Sequence, residues 1–125
     1  MDNLINQAIN NIPLQPGEHL IGLMLTETGQ PDYWLIDAPM PDGSYTWDEF
    51  YPWATKRGYY PASTREGRLM ATNPYPGLPT SGEFWLDECD PDSVYAYSQD
   101  FDGDGQICLG KDNKHRARAV RRLKI

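Results

Sequence analysis

The sequence predicts a single α+β domain, and three observations lead there. Its 125 residues and 14.2 kDa suit one compact unit with one core, not two. Eleven glycines and eleven prolines favour short elements joined by turns and exclude a coiled coil. Apolar residues alternate in some stretches and recur at helical spacing in others, so strands and helices are both expected. A hydrophobic fraction of 39% supplies a core, while 23% charged residues and a mean hydropathy of −0.66 keep the chain on the polar side of ordinary globular composition.

The elements follow in order. Leu4, Ile5, Ala8, Ile9 and Ile12 recur at helical spacing until Pro13, Pro16 and Gly17, so residues 1–13 are expected to form a short amphipathic helix. Such a helix is marginal alone and must dock on its own domain or on a partner. His19 to Thr26 and Tyr33 to Ile36 read as two strands of a hairpin around the turn-rich ETGQPD segment. Thr46 stands three residues before Glu49, the spacing of a capping box that opens a helix. Trp47, Phe50, Tyr51 and Ala54 fall on one face of that helix, expected to be buried, and Gly58 supplies a left-handed stop. Pro52 removes a backbone donor, which predicts a kink. Ser63 and Glu66 repeat the capping-box spacing for a second helix, which holds Leu69 and Met70 and ends near Asn73 and Pro74. Beyond a Pro-rich loop, strands are expected over Glu83 to Leu86, Val94 to Phe101, Gln106 to Leu109 and Arg116 to Leu123. Asp102 to Gly105 form a turn between the second and third of these. Residues 18–125 therefore read as one domain: an N-terminal hairpin, two short helices and a C-terminal antiparallel β-meander.

Charge is divided along the chain. Residues 111–125 hold seven cations against Asp112, a net of +6, which leaves −13 on the first 110 residues. No Lys or Arg falls between Arg68 and Lys111, whereas Glu83, Asp87, Glu88, Asp90, Asp92, Asp100, Asp102 and Asp104 do. A surface of this kind repels nucleic acid and attracts basic protein. In the closing strand Arg116 and Arg118 share one face and Ala117 and Ala119 the other, so its arginines are expected to pair internally with carboxylates and not to contact nucleic acid. No apolar run reaches the roughly 20 residues of a membrane helix, and Met1-Asp2-Asn3 does not resemble a secretion signal. The expectation is a soluble protein in the host cytoplasm when expressed, without a membrane partner.

Cys89 and Cys108 are the only cysteines. Two buried thiols are the expected reading for a cytoplasmic protein, with a bridge open if their strands adjoin.

From Tyr45 onward the chain resembles the Lcl C-terminal-type domains of tailed phages, prophages and bacterial surface proteins. The stretch TWDEFYPWATKRG, with Trp47, Trp53, Ala54 and Gly58, resembles the family's first helix. Ser63, Arg65, Glu66, Leu69, Met70 and Asn73 resemble its second. Phe84, Trp85 and Glu88, then Tyr95, Ala96, Phe101, Gly105, Gln106 and Lys111, and finally RARAVRRL follow in the family's order. The resemblance implies a C-type-lectin-like fold related to the formylglycine-generating enzyme. It departs from the pattern at Ala62, at Trp85-Leu86-Asp87 and in the enlarged DGDG turn.

Candidate chemistry is sparse. Asp100, Asp102 and Asp104 with Gly105 reproduce the start of a calcium loop, but Lys111 stands where a bidentate Glu is expected, so a plain turn is the stronger reading and Ca2+ the only cofactor suggested. His19 and His115, the only histidines, lack a nucleophile or base beside them in sequence and are expected to be structural. Eight tyrosines exceed what a small core requires. Tyr59, Tyr60 and Tyr75, beside Pro-rich loops, are the expected contact surface, together with Asp87, Glu88, Asp90 and Asp92. No enzymatic activity is expected. The resemblance implies a phage-encoded, tail-associated or adhesin-type module recognising a host glycan or protein, virion-associated and oligomerising through residues 1–12. Small size and the acidic segment point to the alternative, an intracellular anti-CRISPR-type inhibitor whose carboxylates imitate nucleic acid.

Overall fold

The computed structural model describes residues 11–73, 82–90, 93–102 and 105–125. Most of the N-terminal helix expected over 1–13 lies outside them, but Ile12 is buried against the body and Pro13 O accepts a hydrogen bond from Arg121 at 2.6 Å. The strands are β1 (His19–Leu25), β2 (Pro31–Pro39), β3 (Tyr60–Pro61), β4 (Glu83–Glu88), β5 (Tyr95–Asp100), β6 (Gln106–Gly110) and β7 (Arg116–Lys124). The helices are α1 (Trp47–Lys56) and α2 (Thr64–Thr72).

Both helices start where their capping boxes place them. Thr46 and Ser63 each accept from the backbone N–H three residues on, and Glu49 and Glu66 each reach back to the cap residue's N–H. Helix α1 runs through Pro52 and stops at Gly58, whose φ is +81°. Its buried face is narrower than expected: Trp47, Phe50 and Ala54 are buried, but Tyr51 is 40% exposed. Tyr51 stacks on the outer side of the Trp47 ring, centroids 4.9 Å apart, and so shields the core instead of joining it.

The strands form one seven-stranded, mostly antiparallel sheet in the order β1-β2-β7-β4-β5-β6, with β3 also on β7. β4, β5 and β6 make an antiparallel meander, but β7 does not complete it. It returns to the middle, antiparallel to β2 and β3 and parallel to β4. The reason lies in the strand's composition. Along β7 the alternation of side chains sends Ala117 and Ala119 to one face and Val120 to the other. A strand buried on both faces belongs inside a sheet. Its small alanines leave room for α1, which covers one face with Trp47, Phe50 and Ala54 beside Trp85 and Ala96. Helix α2 covers the other, where Met70 meets Leu35, Leu86 and Val120.

Three of the four arginines of β7 find carboxylates on other segments as expected, whereas Arg116 lies over the Phe84 ring, 5.8 Å from its centroid. Arg118 bonds Asp37 of β2 at 2.9 Å, Arg121 bonds Glu18 at 2.7 Å, and Arg122 bonds Glu66 of α2 at 2.6 Å. All three acids are buried. Glu18 also accepts from Gln15 N–H and Tyr59 OH. Burial opposes ionisation of Glu18, but Arg121, the Gln15 N–H and Tyr59 outweigh it and pull its carboxyl down to about 2.

The cysteines overturn the expectation of two buried thiols. Cys89 and Cys108 are bonded to each other, with Cα atoms 6.4 Å apart, within the range a disulfide spans. Cys108 is exposed and Cys89 half-buried. Cys89 N–H bonds Tyr95 O and Cys108 pairs with Tyr97, so the two lie on either side of β5 near its start. The bridge staples edge strand β6 to the end of β4. Replacing both cysteines by serine is expected to lower stability by about 3 kcal/mol, from the entropy of the loop that the bridge closes between residues 19 apart. Urea denaturation of the two proteins checks this, and an unchanged midpoint contradicts it.

Candidate functional site

The acidic segment separates into carboxylates that are held and carboxylates that are free. Glu88 is held: Lys111 Nζ bonds its Oε2 at 2.8 Å and lies 4.3 Å from the centroid of the Trp47 ring. Glu83 lies 3.7 Å from His115 Nδ1. Asp87 and Asp90 are exposed, and neither has a cationic partner among the described residues. Asp87 Oδ1 accepts only its neighbour's N–H, from Glu88. Asp92 and Tyr75 fall outside the described residues.

The two remaining expected tyrosines point different ways. Tyr59 is half-buried, and its hydroxyl donates to Glu18 Oε2 at 2.8 Å. It fastens the segment before β1 to the body and borders a small recess of about 200 Å³ with Trp53 and Ala38. Tyr60 is 49% exposed. Its strand β3 adjoins the end of β4, where Asp87 N–H bonds Ala62 O at 2.8 Å. Tyr60 thus lies two residues from the backbone carbonyl that Asp87 bonds, whereas the Tyr59 hydroxyl is committed to Glu18.

The possible calcium ligands are occupied as turn formers. Asp100 Oδ1 accepts from Asp102 N–H at 2.8 Å, and Asp102 Oδ2 accepts from Gly82 N–H at 3.3 Å. Asp104 lies outside the described residues, and among those described no three acidic, His or Cys side chains converge as metal ligands. The histidines sit in the framework. His115 packs edge-on against Trp85, centroids 4.9 Å apart, and its backbone bridges Tyr45. His19 lies beside Asp37, with its Nδ1 4.0 Å from Oδ2.

Nearby lies a recess that sequence reasoning missed. An open cleft of about 510 Å³ is lined by Asp48, Ser93, Val94, Tyr95, Gly110, Lys111 and Asp112. Three elements build it: the first turn of α1, the start of β5 and the turn after β6. They are locked together by Trp47 N–H to Lys111 O at 3.1 Å, Lys111 N–H to Val94 O at 2.9 Å, and the Glu88–Lys111 pair. Tyr95 is 52% and Val94 69% exposed. Asp48 and Asp112 are exposed at its border. An aromatic ring flanked by carboxylates and the Ser93 hydroxyl suits a polar ligand with an apolar face, such as a sugar ring or the stem of a basic side chain. The only signal in the sequence was Val94-Tyr95, an apolar pair following a run of turn residues. Nothing local announced that Asp48, some 45 residues earlier, would border the same cleft.

No helix among the described residues is long and apolar enough to cross a membrane. The chain matches no protein-family model, no curated protein and no solved structure.

Proposed function

We propose that this protein is a non-enzymatic recognition module that binds a glycan or protein of a host cell through the cleft at the start of β5. The observation that carries the reading is the cleft itself: Tyr95 and Val94 exposed on a rigid wall, bordered by Asp48 and Asp112. The resemblance to phage Lcl-type domains supports a C-type-lectin-like version of the fold and a tail-associated or adhesin role. The exposed Cys89–Cys108 bridge supports work outside a reducing cytosol, where structural disulfides are rare. It therefore favours the virion-associated adhesin over the intracellular inhibitor. Unpaired Asp87 and Asp90 favour the inhibitor, because free carboxylates on a surface imitate a phosphate backbone.

The test is binding of the purified protein to bacterial cells and to an array of surface polysaccharides. Tyr95→Ala and Asp112→Asn are expected to weaken binding by about tenfold or more, the loss of a central aromatic contact or a charge-assisted hydrogen bond. Tyr60→Ala leaves it unchanged. A protein that ignores cells and polysaccharides alike overturns the adhesin reading. If it instead captures a basic nucleoprotein, with affinity that falls with salt and with Asp87→Asn and Asp90→Asn, the inhibitor reading stands.

A further inference from the structure

The two edges of the sheet are finished differently. On β1 the carbonyl of Ile21 accepts from Asn73 Nδ2 and that of Leu25 from Arg65, so side chains of α2 and its cap blunt that edge. On β6 nothing comparable occurs among the described residues. The ladder between β5 and β6 ends in Asp100 N–H to Gly105 O and Lys111 N–H to Val94 O. Antiparallel alternation therefore turns residues 105, 107, 109 and 111 toward β5, and Gln106, Cys108 and Gly110 outward. Gly110 O is taken by Asn113. The outward N–H groups of Gln106, Cys108 and Gly110 and the carbonyls of Gln106 and Cys108 have no partner among the described residues.

This edge is also held ready. The disulfide ties Cys108 to the end of β4, so the strand is not free to fray. Ile107 beside it is 52% exposed. The strand has no charged side chain of its own, and its surroundings are acidic. Asp100 and Asp102 stand at one end and Asp112 at the other, none paired with a cation among the described residues. Of the nearby cations, Lys111 is engaged by Glu88.

We propose that β6 is a strand-addition site for an extended, basic polypeptide segment, which pairs with the outward groups of Gln106, Cys108 and Gly110 while its Lys or Arg side chains meet Asp100, Asp102 and Asp112. Backbone pairing supplies affinity and the flanking carboxylates select the charge of the partner. The edge meets the cleft at Gly110 and Asp112, which also line it, but Gln106 and Cys108 lie outside it, so slowed exchange at those two amides and ligand loss with Tyr95→Ala report the two sites separately.

The probe is the capped peptide acetyl-KVKVKVK-amide, added to the intact, oxidised protein while backbone amide exchange is followed by NMR. The amides of Gln106, Cys108 and Gly110 are expected to slow by about tenfold or more, and a Glu-Val peptide of equal length to bind about tenfold more weakly or worse. A Lys-Val peptide N-methylated on alternate residues is expected not to bind, because it cannot complete the ladder. Ile107→Lys, on an exposed side chain, is expected to weaken the peptide about tenfold with the protein's own amide spectrum otherwise retained, whereas Asp48→Asn in the cleft leaves peptide binding unchanged. Unaltered exchange at saturating peptide, or equal binding of the methylated peptide, overturns the proposal. Protection that rises with protein concentration in the absence of peptide also overturns it, by seating a second copy on the edge.

Discussion

Replacing Glu66 with alanine is expected to lower stability by about 4 kcal/mol, within the range for breaking a buried ion pair. The carboxylate is fully buried and accepts four hydrogen bonds from three residues. Arg122 donates to both oxygens at 2.6 and 2.7 Å, Ser63 N–H donates at 2.8 Å, and Tyr33 OH donates to Oε2. Truncation deprives helix α2 of half its capping box, leaves Tyr33 OH without its acceptor and frees Arg122 from the sheet. Arg122 is 36% exposed and finds water, which limits the loss. Burial opposes ionisation of Glu66, but Arg122, the Ser63 N–H and Tyr33 outweigh it and hold its carboxyl below the ordinary value. Glu66→Gln keeps the shape and part of the hydrogen bonding, so it is expected to cost about half as much. Urea denaturation measures both variants, and a loss below about 1 kcal/mol for the alanine would show the network to be ornamental.

Stability is expected to peak well on the acid side of neutrality, at about pH 4.5, and to fall from there to about pH 6. Two groups with opposite shifts set the limits. Burial pushes Asp37 up to about 6, and Arg118 does not fully offset it; its Oδ1 is buried without a hydrogen-bond partner. A carboxyl raised on folding takes up its proton more readily in the folded state. Its ionised form therefore costs stability as pH rises from the ordinary value near 3.8 through 6, by about 3 kcal/mol in all for a shift of roughly two units, and the cost is constant above that. Glu18 and Glu66 are shifted the other way, so their contribution is complete above the ordinary carboxyl value near 4.5 and is lost as pH falls below it. Thermal melts from pH 3 to 8 test the profile. Asp37→Asn is expected to remove the decline between about pH 4.5 and 6 and to keep the loss below 4.5. A melting temperature that climbs steadily to pH 8 contradicts the assignment.

What was legible in the sequence was what neighbours decide. Thr46 with Glu49 and Ser63 with Glu66 each settle a helix start within four residues, and both helices begin where that spacing places them. Alternation within Arg116 to Leu123 told that Ala117 and Ala119 pack on one face and that Arg118 meets a carboxylate, but Arg116 lies over Phe84 instead. Alternation could not tell which carboxylates, because Glu18, Asp37 and Glu66 lie between 56 and 103 residues away along the chain. The same limit hid the disulfide and the parallel pairing of β4 with β7, both of which depend on strand order. β3 was missed because two residues carry no periodicity. The expected contact surface divided for the same reason: Tyr59 and Tyr60 are adjacent in sequence, and adjacent residues of an extended chain face opposite ways.

The central position of β7 has a consequence for how the molecule comes into being. On a growing chain of about 110 residues, the hairpin β1-β2 and the sheet β4-β5-β6 are already complete, yet they share no ladder, since β2 and β4 both wait for the same missing neighbour. Each half exposes one raw flank, and three acids destined for the interior have no counter-ion. Arrival of the arginine strand joins the halves and discharges those acids in one event, so biogenesis is expected to be all-or-none and late. Until then the nascent polypeptide is a candidate for chaperones.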